Sequence, residues 1–382
     1  MSSAPVVIPI SAAEHLAFIE ARGRASFLQT PAWASVKTEW AHESLGWYAD
    51  GELAGVGLVL YRRLPRSKRS LAYLPEGPVL DWEADQVGEN LGAWLGPMTA
   101  HLKKRGAFGV RMGPPVITRT WSAAQIKDGI ADPAVRRLGE IAPMHRSASG
   151  ARIVSSLRDL GWRSQAVEGG FAAGQPQYVF VIPLVDGAGA PRSEADLLAG
   201  MNQLWRRNIK KAEKSGVVVR QGGREELADF HALYAHTAER DHFTPRSAGY
   251  FTTMYDALVA EDPGRITLWL AEHEGDLVAA TLATRVGRHA WYSYGASSTD
   301  KREVRGSNAI QWAMIRDALA AGAEVYDLRG ITDTLDAGDA HVGLIQFKVG
   351  TGGEAWEYAG EWDLPLHRPL YAAFAAYTRR RG

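Results

Sequence analysis

With 382 residues, 46% of them hydrophobic and 23% charged, the chain holds enough apolar material for two ordinary cores, and two domains are the natural expectation at this length. Lysine plus arginine and aspartate plus glutamate both number 43, so no global field drives the protein onto nucleic acid and any polyanion binding must be local. The lack of cysteine excludes disulfides, thiolate zinc sites and a cysteine nucleophile, and the eleven histidines show no HExxH or similar spacing, so neither a metal nor a cofactor is expected.

In chain order, 9–22 reads as a loop and a helix, and 29–40 (QTPAWASVKTEW) as a second helix entered through Pro31. Strands at 46–49 and 53–62 are joined by Asp50-Gly51, the dipeptide of a tight hairpin. A basic loop (63–69), a strand (70–74) and the turn Pro75-Glu76-Gly77-Pro78 follow. The segment 91–105 is an amphipathic helix, and 107–111 a strand running into Gly113-Pro114-Pro115. The polar stretch 117–149 has weak periodicity and is expected to form surface helices before a helix at 154–160. The amino-terminal MSSAPVVIPISAAEH lacks a basic start and a long apolar core, and no window reaches the ~18 apolar residues of a membrane span. A cytoplasmic protein is expected.

A buried apolar strand at 176–183 opens the second half. The order continues with a helix (193–214), a strand (217–221), helices (225–240 and 247–259), strands (265–272, 277–286 and 289–294), a helix (307–321) and a strand (325–328). The turn Glu274-Gly275-Asp276 separates two of these strands. A closing helix, 366–381, carries Leu370, Phe374 and Tyr377 on one face. Two related units of helices on mixed sheets account for this order, giving an α/β fold. Residues 1–175 with the terminal helix 361–382 form the first unit, and 176–360 the second.

Within 193–214, the run WRRNIKKAEKSG (205–216) packs five cations into ten residues. As a helix it sets Trp205, Ile209 and Ala212 on one stripe, while Arg206, Arg207, Lys210, Lys211 and Lys214 fan over the rest. Lys214 falls in the last turn, where the helix dipole favours a cation, and Gly216 suits the residue just past the end. A cationic face of this kind can meet phosphates.

The turn around Tyr294-Gly295 and Arg305-Gly306-Ser307, leading into the helix at 307, resembles a GNAT acyltransferase, in which such a helix start binds the coenzyme A pyrophosphate. Arg302 lies four residues before Gly306, but Asn308 stands where a second small residue belongs, so a GNAT-like fold without acetyl-CoA fits better. The blocks FLQTPAWASVK (27–37), YLPEGPV (73–79), WRRNIKKAEKSGV (205–217), FTPRSAGYF (243–251), YSYGASS (292–298), SNAIQWAMIRDALAAG (307–322), YDLRG (326–330) and QFKVG (346–350) together resemble the Fem peptidyltransferases (FemABX). Enzymes of that family attach an amino acid from aminoacyl-tRNA to a peptidoglycan precursor.

The resemblance implies two GNAT-like domains. It makes Lys37, with Glu39 beside it, a ligand of the precursor's diphosphate, and adds Thr244, Arg246 and Tyr250 from the second unit. Tyr292 and Tyr294, expected on one strand face, would stack on substrate. Lys348, preceded by Phe347, would stabilise the oxyanion of the tetrahedral intermediate. The expected partners are aminoacyl-tRNA and either UDP-MurNAc-pentapeptide or lipid II, with a transient contact at the inner membrane face and a monomeric protein. The donor would be glycine, alanine or serine, with glycine favoured. The cationic helix, together with Arg62, Arg63, Arg66, Lys68 and Arg69, would face the tRNA. Too little chain separates Lys214 from Arg240 for the coiled-coil arm found in some members. Two departures are visible: Gly113-Pro114 stands where the family often has an acidic residue before the proline, and the sequence beyond Lys348 is altered.

Overall fold

The computed structural model describes residues 4–65, 67–165, 174–339 and 341–379; Arg66 and the last two residues of the expected closing helix lie outside them. Sixteen strands are formed among the described residues: β1 (Val6–Ile10), β2 (Ala41–Ala49), β3 (Glu52–Arg63), β4 (Ser70–Leu74), β5 (Ala107–Met112), β6 (Ile117–Ser122), β7 (His145–Arg146), β8 (Arg163–Ser164), β9 (Tyr178–Pro183), β10 (Val218–Gly222), β11 (Ile266–His273), β12 (Asp276–Val286), β13 (His289–Ser297), β14 (Val325–Ile331), β15 (Glu354–Tyr358) and β16 (Trp362–Pro365). They make two mixed sheets, ordered β1-β2-β3-β4-β5-β16-β8 and β10-β11-β12-β13-β14-β9-β15-β6-β7. Each sheet has one parallel pair, β4 with β5 and β13 with β14. Hydrogen bonding therefore joins β6 and β7 to the larger sheet and β16 to the smaller one.

Local chemistry accounts for the turns. Asp50 and Gly51 both have positive φ (50° and 89°), as do Glu274 and Gly275 (53° and 85°), the geometry of hairpins whose twist matches the strands. One apolar core lies between the smaller sheet and helix Leu91–Lys104, around Trp47, Trp94 and Met98. A second lies under helices Gln203–Lys214 and Gly306–Ala320. A third is shared by both units: Phe27, Leu28, Trp33 and Val36 pack with Phe230, Phe251 and the β11 to β13 residues Leu268, Leu282 and Trp291. Burying so many large apolar side chains across the junction favours a fixed relation between the sheets.

The structure corrects several expected elements. The helix expected over 29–40 is a single turn, Ala32–Val36, ended at Lys37 (ψ 57°). Buried Gln29 is diverted from helix formation because its side chain accepts from the Leu58 N–H and donates to the Pro75 carbonyl. The helix expected over 193–214 is two, Glu194–Gly200 and Gln203–Lys214, because Asn202 turns out of helical geometry and caps the second by accepting from the Trp205 N–H. The polar stretch 117–149 contains strand β6 as well as helix Ala123–Ala131. After Lys214 the chain turns at Gly216 (φ 79°) and enters β10 directly, leaving no coiled-coil arm there. Among the described residues no helix is long and apolar enough to cross a membrane.

Candidate active site

Strands β13 and β14 pair only at His289–Trp291 against Val325–Asp327, and beyond this they splay apart. The β14 side of the splay is shaped by a bulge between Asp327 and Gly330. Arg329 sits in the left-handed region (φ 63°), where a side chain is strained, and it is pinned from several sides. Its N–H donates to Asp327 Oδ1 (2.5 Å), and its guanidinium donates to Glu76 Oε1 and Gln175 Oε1 (3.0 Å each). The same guanidinium lies over the Phe27 ring.

That bulge builds the seat for Lys348. Helix Val342–Val349 delivers Lys348, only 4% exposed, so that Nζ donates to the carbonyls of Gly330 (2.7 Å) and Arg329 (3.2 Å). Burial brings its pKa down to about 7, Asp327 acting against that fall and Arg329 adding to it. At neutral pH the group therefore switches readily between ammonium and amine. Phe347 packs on Trp205 (centroids 4.8 Å apart), and its carbonyl accepts from Trp205 Nε1 (2.8 Å). The residues beyond Lys348 explain the altered loop: a Cβ at Gly350 would collide with the Trp205 indole, and Gly352 (φ 76°) lies against the Gly200 carbonyl.

Lys37 and Arg246 meet across one ring. Lys37 Nζ is 5.4 Å from the centroid of Tyr250 and 5.7 Å from that of Trp33, and the Arg246 guanidinium is 5.3 Å from Tyr250. Burial lowers the Lys37 pKa, with the neighbouring Arg246 charge adding to the fall and Glu39 opposing it. Neither cation is among the described ion pairs, and two cations stand here against the one exposed carboxylate of Glu39, leaving the local potential positive. Thr244 and Glu39 are exposed nearby. Helix Ala248–Glu261, capped by Ser247, orients Tyr250. Its final residue clamps the opposite unit, since Glu261 Oε1 accepts from the Ala32 N–H (2.8 Å) at the start of the turn that carries Lys37.

The Tyr250 and Tyr294 hydroxyls are 3.1 Å apart, and Tyr294 acts electrostatically on Arg329. Lys37, Arg246, Tyr250 and Tyr294 thus form one contiguous group, and Arg329 and Lys348 form a second. Tyr292 does not share a face with Tyr294 as expected. A register shift between Leu282 and Ala283 leaves Ser293 unpaired between them, so Tyr292 packs with the core under helix Gly306–Ala320 and Tyr294 with the shared core.

Behind Phe347 lies a cavity of about 400 Å³ lined by Trp205 and Asn208 of one helix, Gly306, Ser307 and Asn308 at the start of another, and the exposed Arg302 and Arg305. Asn308 is 5% exposed, and its Nδ2 has no hydrogen-bond partner. Helix Gly306–Ala320 begins at this cavity, so the positive end of its dipole lies at the cavity wall. On the cationic helix, Arg207, Lys210, Lys211 and Lys214 are exposed. Arg206 is not free for a ligand. Its guanidinium donates to the Ala199 and Met201 carbonyls (3.1 and 2.8 Å), which close the preceding helix. Among the described residues no cluster of histidine, aspartate or glutamate is arranged to hold a metal.

The model of the FemAB family matches residues 10–273 and 268–379. The chain belongs to the FemAB family. Curated relatives include lipid II:glycine glycyltransferases of Staphylococcus aureus strain USA300, 25% identical with 94% of this chain and 92% of the relative covered, and of Staphylococcus epidermidis strain RP62A, 23% identical over the same shares. The crystal structure of FemX superposes with a TM-score of 0.79 at 23% identity, over 96% of this chain and 99% of that one. The FemAB fold is thus shared along nearly the whole length.

Sequence reasoning missed Glu76, Gln175, Asp327 and Arg329 as parts of the site. Glu76, Asp327 and Arg329 lie inside the blocks YLPEGPV and YDLRG, whose charged residues within apolar strand and turn sequence were the available signal. Gln175 lies outside those blocks, and no local pattern marks it.

Proposed function

We propose that this FemAB protein transfers glycine from glycyl-tRNA to an amine of the stem peptide of lipid II, beginning or forming an interpeptide bridge. The observation that carries this reading is Lys348, a buried lysine whose Nζ is held by two backbone carbonyls, next in sequence to Phe347, which lines the cavity at the start of helix Gly306–Ala320, in a fold that also sets Lys37 and Arg246 over one tyrosine ring. The names of the staphylococcal relatives support glycine as the residue transferred and lipid II as the acceptor.

In this mechanism Lys37 and Arg246 hold the precursor's diphosphate, a point charge and a planar fork acting from two units. The aminoacyl end of the tRNA enters the cavity lined by Asn308 and the helix start, guided by the exposed cations of helix Gln203–Lys214, which read phosphates rather than bases. The acceptor amine attacks the ester carbonyl, its lone pair forms the C–N bond, and the carbonyl electrons pass to oxygen. Protonated Lys348 stabilises that oxyanion. Collapse breaks the C–O bond to the ribose, which leaves with its electron pair and takes up a proton from the nitrogen. The ester supplies the driving force, and no covalent enzyme intermediate arises.

The test is incubation with radiolabelled glycyl-tRNA and lipid II carrying a free stem-peptide amine. Labelled, glycine-extended lipid II is expected, and more slowly a labelled UDP-linked precursor. No transfer to either acceptor, with the protein folded, refutes the assignment.

A further inference from the structure

Between the two sheets lies a cavity of about 360 Å³ that neither Lys37 nor Lys348 lines, large enough for a small organic group. Its walls come from both units. Trp82, Trp291, Trp356 and Tyr358 supply aromatic surface, and Glu76, Asp81, Glu83, Asp327 and Glu361 supply carboxylates. Arg22 and Arg24 line it as well but are committed elsewhere, Arg22 to the Leu80 carbonyl and Arg24 to Glu324. Aromatic faces and acids in one enclosed space are the chemistry that recognises an ammonium group.

Most of the acids are already engaged. Glu76 accepts from Arg329 and from Ser26 Oγ, Asp327 accepts from the Arg329 N–H, and Asp81 faces Arg22. Glu361 differs. It is only 5% exposed and is not among the described ion pairs. The Tyr73 hydroxyl donates to its Oε1 (2.6 Å), and the Gln175 N–H donates to the carboxylate. Arg111, whose charge acts on Glu361, spends both arms on Asp363 (2.7 and 2.8 Å). Burial holds the Glu361 pKa above the ordinary carboxylate value, with Tyr73 and Arg111 opposing that rise and Asp363 adding to it. Opposite stands Gly113, whose missing side chain leaves the space to Glu361: a Cβ there would lie 3.3 Å from Glu361 Cγ. The acid absent at Gly113 is thus replaced, from the other side of the cavity, by one far away in sequence.

We propose that this cavity seats the alkylammonium group of the acceptor and that Glu361 is the carboxylate that binds it and takes its proton. The inference rests on the transfer reaction proposed above. The cavity adjoins the reacting centre through Asp327, which lines it and acts on Lys348, and through Glu76, which grips the residue whose carbonyl holds Lys348. The acceptor enters as R–NH3+. One proton passes to Glu361, the freed lone pair forms the C–N bond, and Lys348 faces the oxyanion. The ribose oxygen leaves with the C–O electron pair and takes a second nitrogen proton, giving a neutral amide and a hydroxyl. Glu361 then releases its proton to solvent, so the balance is one amide, one alcohol and one H+.

Two experiments on the full chain test this. The tryptophan fluorescence of the protein is titrated with Nα-acetyl-L-lysine amide and, separately, with Nα-acetyl-L-norleucine amide, which lacks the amine. Saturable change with the lysine probe alone is expected, weakened roughly ten- to a hundredfold in Glu361→Gln by removal of a charge-assisted hydrogen bond. Equal response to both probes overturns the ammonium seat without reliance on any variant. In the transfer assay, Glu361→Gln should raise KM for the acceptor, leave KM for glycyl-tRNA unchanged, and abolish the acid limb of kcat/KM. A variant that matches the wild type in acceptor KM and pH profile overturns the role of Glu361 while the transfer reaction stands. If the wild type transfers no glycine at all, the earlier reading falls, and the probe titration still decides whether the cavity takes an amine.

Discussion

Replacing Lys348 by methionine should damage activity and remove a strong pH dependence from the stability of the fold. The native Lys348 pKa is about 7 against 10.5 for an ordinary lysine; at ~1.36 kcal/mol per pH unit, carrying this charge in the fold costs about 5 kcal/mol. The sign follows from proton binding. Between pH 7 and 10.5 the unfolded chain holds the proton and the native protein does not, so stability gains up to ~1.4 kcal/mol per unit as pH rises, and the contribution levels off below the native pKa. Methionine removes this dependence. It also leaves the Arg329 and Gly330 carbonyls without a donor, a loss of about 1–3 kcal/mol for each buried group that is nearly independent of pH. Urea unfolding of both proteins at pH 6, 7, 8 and 9 separates the two effects. All other titrating groups cancel in the difference, which should favour the wild type by about 2–3 kcal/mol more at pH 9 than at pH 6. In the transfer assay, kcat of Lys348→Met should fall roughly 10²–10³-fold, the loss typical of one oxyanion donor, with precursor affinity nearly intact. Parallel pH–stability curves would show that Lys348 is an ordinary solvated lysine, and undiminished turnover would remove it from the chemistry.

Arg246→Ala and Lys37→Met should each raise KM for the precursor by roughly 10- to 100-fold, the range of a charge-assisted hydrogen bond, with little effect on KM for glycyl-tRNA; steady-state kinetics with each substrate varied in turn check this. Reversing charge at Arg207 and Lys211 should raise KM for glycyl-tRNA and flatten its salt dependence by roughly one unit of logarithmic slope for each phosphate no longer neutralised, and kinetics unchanged from low to high salt would exclude the helix from tRNA binding. Gly350→Ala should push the Trp205 indole off Phe347 and lower stability by about 1–3 kcal/mol, as overpacking does, measured as a fall in urea midpoint with unchanged m-value.

Local pattern made much of this molecule legible. The stripe of Trp205, Ile209 and Ala212 predicts helix Gln203–Lys214, and Asp50-Gly51 and Glu274-Gly275 predict the hairpins, because each depends on neighbours in sequence. Long-range competition hid the rest. Nothing near Gln29 reveals that its amide will bond to β3 and stop a helix from growing, and the period of two in YSY cannot foretell a bulge at Ser293 whose cause is the register with β12. The identity of Lys348 was readable from resemblance, whereas its seat needs a left-handed Arg329 supplied by a strand about twenty residues earlier. Glu361 had no local signal: its meaning comes from standing opposite a glycine about 250 residues away.

The distribution of strain indicates what the splay is for. Arg329 adopts a positive φ that glycine would take freely, and Lys348 holds a charge that methionine would spare; the two positions touch. The left-handed backbone costs on the order of 1–3 kcal/mol, and the buried ammonium about 5 kcal/mol. Their sum is comparable with the net stability of many domains. Glycine at 329 would forfeit the grip of Glu76 and Gln175 that turns two carbonyls toward Nζ, and methionine at 348 would leave those carbonyls bare. Each strained residue is therefore useful only in the presence of the other, and neither contributes to packing what an apolar replacement could not. A pair that destabilises the fold jointly, and is fixed in place by hydrogen bonds from both units, is the arrangement expected of preorganised charge at a reacting centre.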